Sequence, residues 1–211
     1  MTNMPQKTPL SSTDDAISYG ATWPGYGSDT ILDGGGIMLG YSWSVGYAAG
    51  FRFPGCVIPV GATITSATIS LCSNAADSAS LDVTVWGHDS DSSAAFSATT
   101  NTETGAPGYR TRTTASVRNN VGTTPWVAGT YYDFDATSVV QEICSRSGRA
   151  ETFNLSLLVF PTDTSGTWGA VNRREVRAID GYSDVARLNV SYTVAGGIPV
   201  TQQHLLTQGI R

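Results

Sequence analysis

Lysine is nearly absent from this 211-residue chain: Lys7 stands alone, and arginine supplies the rest of the twelve basic residues. Charged residues make up only 14% of the sequence, against about 25% in an average soluble protein. With a formal net charge of -5 and no basic run, the chain lacks the positive patch that a phosphate backbone demands, so nucleic acid is excluded as a partner. No stretch of 18 apolar residues occurs, which excludes a membrane-spanning helix. Cysteine is scarce too. Cys56, Cys72 and Cys144 are odd in number, widely spaced and free of any CxxC pair. They therefore fit neither a complete disulfide framework nor a zinc site, and read as small buried apolar residues. The opening MTNMPQKTPLSSTDD has no apolar core of the kind a cleaved export leader carries, which sets the expectation of a protein folded in the cytoplasm.

Chemistry-bearing motifs are equally sparse. There is no GxSxG, HExxH or phosphate-binding glycine loop, and the only glutamates are Glu103, Glu142, Glu151 and Glu175. A hydrolase built on paired carboxylates needs an acid and a base across a cleft, and nothing in the spacing suggests one. The expectation is a non-enzymatic protein without a cofactor.

What the chain does have is β-pattern. In FRFPGCVIPVGATITSATISL, residues 51–71, Phe51 and Phe53 flank Arg52 on opposite parity, and Pro59-Val60-Gly61 makes a turn. A second strand follows in which Thr65, Ala67, Ile69 and Leu71 share a face. Ile64 falls on the wrong parity for that face, so it marks a plug at the strand start or a bulge. Leu81, Val83 and Val85 alternate in the same way, as do Leu188, Val190, Tyr192 and Val194. Further strands are expected at 37–39, 153–160 and 175–179, with weaker signals near 110–117 and Trp126. Residues 40–50 read as a glycine-rich loop. One helix is expected at about 137–147: Val139, Val140, Ile143 and Cys144 form its apolar stripe, Asp135 or Thr137 offers a cap, and Gly148 ends it. Many short strands and one short helix give an all-β fold, a jelly-roll β-sandwich. It is expected over residues 13–194, between an N-terminal arm at 1–12 and a C-terminal arm at 195–211.

Several phrases in sequence, IPVGATITSATISL (58–71), RTRTTASV (110–117), PWVAG (125–129), DATSVVQEI (135–143) and REVRAIDGYSDVARLNVSY (174–192), together resemble the DNRLRE-type jelly-roll domains. These are relatives of carbohydrate-binding modules found in bacterial and archaeal surface proteins and in phage structural proteins. The resemblance covers about residues 14–194. It implies a sandwich closed at one end by the DATSVVQEI helix, with the last two strands supplied by the closing phrase, and a surface role rather than a reaction.

Candidate site residues follow from chemistry. Asp89 and Asp91, with Asp77 or Asp82, could offer oxygens to Ca2+, and Asp14, Asp15, Asp180 and Asp184 form a weaker second group. Solvated turns are the preferred reading of both. His88 reads as a surface histidine, and Arg177 with Asp180 as a structural ion pair. Trp23, Tyr26, Trp43 and Tyr47 lie on loops where rings could stack on a sugar, with half-buried loop anchors or inter-subunit contacts as the preferred reading. In the C-terminal arm, Ile198, Val200, Leu205, Leu206 and Ile210 are too apolar for a disordered tail and are expected to dock on another subunit or another virion protein. The function expected is a structural protein of a tailed-phage virion, assembled in the host cytoplasm from copies of itself or with other virion proteins. A stand-alone carbohydrate-binding module or extracellular adhesion domain, with a glycan as partner, is the alternative.

Overall fold

The structure, a computed structural model, describes residues 1–20, 29–31, 35–42, 45–97, 107–162 and 171–194. Among the described residues twelve strands and one α-helix follow in order: β1 Thr2–Lys7, β2 Asp15–Gly20, β3 Asp29–Ile31, β4 Gly36–Ser42, β5 Val45–Val57, β6 Ala62–Cys72, β7 Leu81–Gly87, β8 Val117–Gly122, β9 Tyr131–Asp135, α1 Thr137–Cys144, β10 Thr152–Pro161, β11 Val171–Arg177 and β12 Arg187–Val194, with a single 3-10 turn at Pro107–Tyr109. One sheet runs β1-β12-β6-β9; the other runs β11-β4-β5-β10-β7-β8, with β2 added on β5 and β3 on β2. All pairings are antiparallel among the described residues. The protein is an all-β sandwich, and its core lies between the two sheets, where Phe51, Phe53, Ile69, Leu71, Val83, Phe134, Leu157 and Leu188 meet.

Parity explains most of these elements. In β6, Ile64, Ala67, Ile69 and Leu71 point inward while Thr65 and Ser66 are both exposed. The register against β12 slips at this point, from Ser191↔Ser66 to Tyr192↔Ile64. Thr65 is thus the extra residue of a bulge, and the bulge returns Ile64 to the core. Thr65 does not share the inward face that plain alternation assigns it.

The helix forms where expected but ends at Cys144, three residues early. Asp135 Oδ1 accepts from the Thr137 N–H at 2.9 Å at its start. Beyond its end, Arg146 turns away to pair with Asp89 and Asp91. The apolar stripe Val139, Val140, Ile143 and Cys144 is buried. The polar side of α1 is used as well. Gln141 Oε1 accepts from the Ile64 N–H at 2.7 Å, and Thr137 Oγ1 from the Ala67 N–H at 3.0 Å. These lie on the part of β6 that β9 does not reach, since β9 pairs only with Thr68 to Cys72. Two side chains one helical turn apart therefore stand in for a missing strand and cover an open edge.

Three segments differ from their sequence reading. Residues 1–12, read as an arm, contain β1, an edge strand on β12 with Met4 in the core. Its Pro5 sits beside a register irregularity, the place a sheet edge tolerates a missing N–H. Residues 40–50, read as a loop, are mostly strand: β4 and β5 pair there, with Gly40↔Tyr47. The expected strand at 175–179 ends at Arg177.

The outer face of the larger sheet is also covered. Ala16, Ala48, Leu158 and Phe160 form a second apolar cluster under Phe96. The Arg110 guanidinium lies 4.0 Å over the Phe96 ring, and Arg112 lies over Trp86 and Phe160. This layer buries His88, which is 8% exposed, with Nδ1 2.7 Å from Ser93 Oγ. His88 is an interior residue and not a surface one.

Candidate functional site: a polar pocket at the Tyr41–Asn172 end

β4 pairs with β5 only over Gly40 to Ser42, whereas β11 follows β4 along its whole length. The ribbon of β4 and β11 thus peels away from β5. At the other end of this ribbon Val176 bridges to Ser73, just past β6 in the opposite sheet. Gly40 sits where the ribbon diverges. Its φ is +103°, and a Cβ there would run into the Asn172 carbonyl. Only glycine supplies both the backbone angle and the clearance.

Between the ribbon and the β10-β7-β8 part of the sheet lies a pocket of about 140 Å³ lined by Tyr41, Ser80, Asp82, Asn120, Pro161 and Asn172. Register builds it. Asn172 is opposite Tyr41 on the β4–β11 ribbon, and Asp82 is opposite Asn120 on β7 and β8. Arg118 holds the Asp82 carboxylate through Nε, at 3.0 and 3.1 Å to its two oxygens, and through Nη2. That pairing offsets the one formal charge in the lining. What remains is a phenol ring, two amides, a hydroxyl and a neutralised carboxylate. Such a set donates and accepts hydrogen bonds and favours no net charge on a ligand.

Arg174 supports one wall. It is 1% exposed and lies 4.7 Å over the Trp126 ring. Its Nε and Nη2 donate to the Ala79 carbonyl at 2.8 and 2.7 Å, and Nη2 also to the Gly122 carbonyl at 3.0 Å. Burial lowers its pKa from the ordinary arginine value, and the Asp77 charge opposes that shift. The guanidinium fixes Ala79, next to Ser80, and the end of β8, next to Val121 and Asn120. A smaller cavity of about 90 Å³ flanks it, lined by Met38, Ala75, Asp77, Arg173, Arg174 and Glu175.

Of the residues singled out in the sequence, Asp82 lines this pocket and Asp77 the smaller cavity, and the other described ones fall elsewhere. Tyr47 is half-buried against the core, with the Arg173 guanidinium 5.8 Å from its ring centre. Trp23, Tyr26 and Trp43 lie outside the described residues, as do Ile198, Val200, Leu205, Leu206 and Ile210. Asp89 and Asp91 are brought together, but around Arg146, whose Nη1 meets Asp89 and whose Nε meets Asp91 at 2.7 Å. A guanidinium sits between the two carboxylates, so they form neither the solvated turn expected nor an open oxygen site for Ca2+. Asp77 caps the Ala79 N–H and Asp82 pairs with Arg118. Asp14 pairs with Arg52, and Arg177 pairs with Asp184 rather than with Asp180. Among the described residues no group of three His, Cys, Asp or Glu side chains is placed to hold a metal ion. All three cysteines are free and buried.

Sequence reasoning missed Tyr41, Asn120 and Asn172. Each comes from a different strand, and their meeting depends on register and on the divergence at Gly40. The glycine was the one visible signal. No family model and no curated protein matches the chain.

Proposed function

We propose that the chain is a non-enzymatic structural protein of a tailed-phage virion, and that its sandwich presents a glycan-recognition pocket at the Tyr41–Asn172 end. The observation that carries the binding part is the lining itself: an aromatic ring, two amides, a hydroxyl and a charge-compensated carboxylate converging on one cavity. Sugar hydroxyls need such mixed donors and acceptors, and a sugar ring packs on an aromatic side chain. The non-enzymatic part is supported by how the carboxylates are used. Asp14, Asp82, Asp89, Asp91 and Asp184 each face an arginine. Glu142 accepts from the Thr114 and Ala115 N–H groups at 2.8 and 2.5 Å. These acids are engaged in pairings that hold strands and loops together. The virion part is supported by the resemblance to DNRLRE-type domains and by the lysine-poor, weakly charged surface chemistry.

Two measurements test the two parts separately. An antibody raised against the chain should label gradient-purified phage particles from the host that carries its gene; particles free of the protein contradict the virion role. On a glycan array the wild type should bind a neutral glycan that an Asn120→Ala/Asn172→Ala double variant binds at least about tenfold more weakly. Equal binding by both contradicts the pocket. Either part can fail without the other.

A further inference from the structure

Asp15 is the first residue of β2, 1% exposed, with its backbone paired to Phe51 of β5. Its neighbour Asp14 is equally buried but fully engaged: Arg52 meets one oxygen, and the N–H groups of Leu10 and Ser11 donate to the other at 3.0 and 3.2 Å. Asp15 is not so provided. Its Oδ2 accepts from the Ile179 N–H at 2.8 Å, while its Oδ1 has no hydrogen-bond partner among the described residues.

Ile179 belongs to the turn at residues 178–182 that links β11 to β12. The turn is closed by the Gly181 and Tyr182 N–H groups, both donating to the Ala178 carbonyl at 3.2 Å. On its outer side Arg177 pairs with Asp184 and lies over the Tyr182 ring. On its inner side Gly181 packs so closely on Gly35 that a Cβ would stand 2.9 Å from the Gly35 Cα. Asp15 is thus a clasp between the start of β2 and the turn joining the last two strands. Two negative charges act on it: Asp180 in the turn and Asp14, the residue just before β2.

We propose that Asp15 is a pH-sensitive latch: protonated, it clasps the 178–182 turn to β2; ionised, it sets a buried negative charge against the exposed Asp180 and loosens the turn. A buried carboxylate with one unpaired oxygen is costly, and the protonated form lowers that cost by removing the buried charge. Burial is the main cause and the two aspartates add to it, together raising its pKa from 3.8 to about 7 even though the Ile179 N–H favours the anion. The sign follows from linkage. The pKa is higher folded than unfolded, so the stabilisation is complete below the ordinary aspartate value and is lost as pH rises through about 7. The turn is tight under mild acid and loose under mild alkali. This device is independent of the sugar pocket.

Amide hydrogen exchange of the intact protein tests it, with the Ile179 N–H read against a reference amide in β10 to remove the intrinsic base dependence. In the wild type, relative protection of Ile179 should fall at least about tenfold between about pH 5 and pH 8. In Asp15→Asn, which keeps the accepting oxygen and cannot ionise, it should stay level. In Asp180→Asn the fall should persist with its midpoint moved to lower pH, because one of the two like charges is gone. Level protection in the wild type overturns the latch. So does an equal fall in Asp15→Asn, or an unmoved midpoint in Asp180→Asn, the variant that decides the matter if Asp15→Asn does not fold.

Discussion

Asn119, on the edge strand of the larger sheet, holds both backbone polar groups of Asp135 at the edge of the smaller one: its Nδ2 donates to the Asp135 carbonyl at 3.2 Å, and its Oδ1 accepts from the Asp135 N–H at 2.9 Å. A side-chain amide here acts as one rung of ladder between two sheets. Edges left open invite pairing with other chains, and this rung closes one side of the sandwich next to the helix. Asn119→Ala should leave both Asp135 groups without their protein partner and destabilise the fold by about 1–3 kcal/mol. Urea unfolding measures it. A change below about 0.5 kcal/mol would mean that water replaces the amide without loss.

Gln141 performs the related task on β6. Gln141→Ala removes the acceptor for the Ile64 N–H and exposes the bulge. The expected cost is about 1–2 kcal/mol, and Ile64 should lose exchange protection before residues of β10 do.

Gly40→Ala should be more damaging. The positive φ disfavours any L side chain, and the Cβ would press on the Asn172 carbonyl that forms the pocket wall. A loss of about 2 kcal/mol or more is expected, together with loss of glycan binding. Thermal unfolding and the array read the two effects independently.

The thiols give a check on the core. Burial pushes Cys56 up to about 12 and Cys144 up to about 11, and raises Cys72 as well. Only the thiolate reacts, so native protein at about pH 8 should take up almost no iodoacetamide, whereas unfolded protein labels at all three positions. Rapid labelling of the native state would contradict the packing of Cys56 and Cys144 in the sandwich.

Legibility in the sequence followed the range of the forces involved. Period-two alternation revealed β6, β7 and β12, and the parity fault at Ile64 pointed to a bulge whose extra residue is Thr65. The apolar stripe of α1 was equally local. Glycine misled at residues 40–50: at Gly50 the missing side chain does not mark a loop but makes room for Phe96 and Pro107 on a strand. His88 was misplaced because alternation assigns an outer face without saying that residues near Phe96 and Arg110 cover it. Long-range register decided the rest. The pairing of Arg146 with Asp89 and Asp91, and the meeting of Tyr41, Asp82, Asn120 and Asn172, depend on strands far apart in the chain.

Arg174 shows how support and site are joined. Arg174→Ala would leave the Ala79 and Gly122 carbonyls without their donor and open a cavity beside Trp126. A loss of about 3 kcal/mol is expected, with glycan binding weakened although Arg174 does not line the larger pocket. Full stability and full binding together would contradict its role as a strut.

Chemical-shift mapping tests the central claim of a sugar pocket most directly. Uniformly 15N-labelled protein is titrated with neutral monosaccharides such as glucose, galactose, mannose and N-acetylglucosamine, each to about 50 mM to reach millimolar affinities. The account predicts that at least one of them shifts the amides of Tyr41, Ser80, Asp82, Asn120 and Asn172, and that the Asn120→Ala/Asn172→Ala variant loses those shifts. Silence at all five positions, or shifts confined to another face of the sandwich, contradicts it.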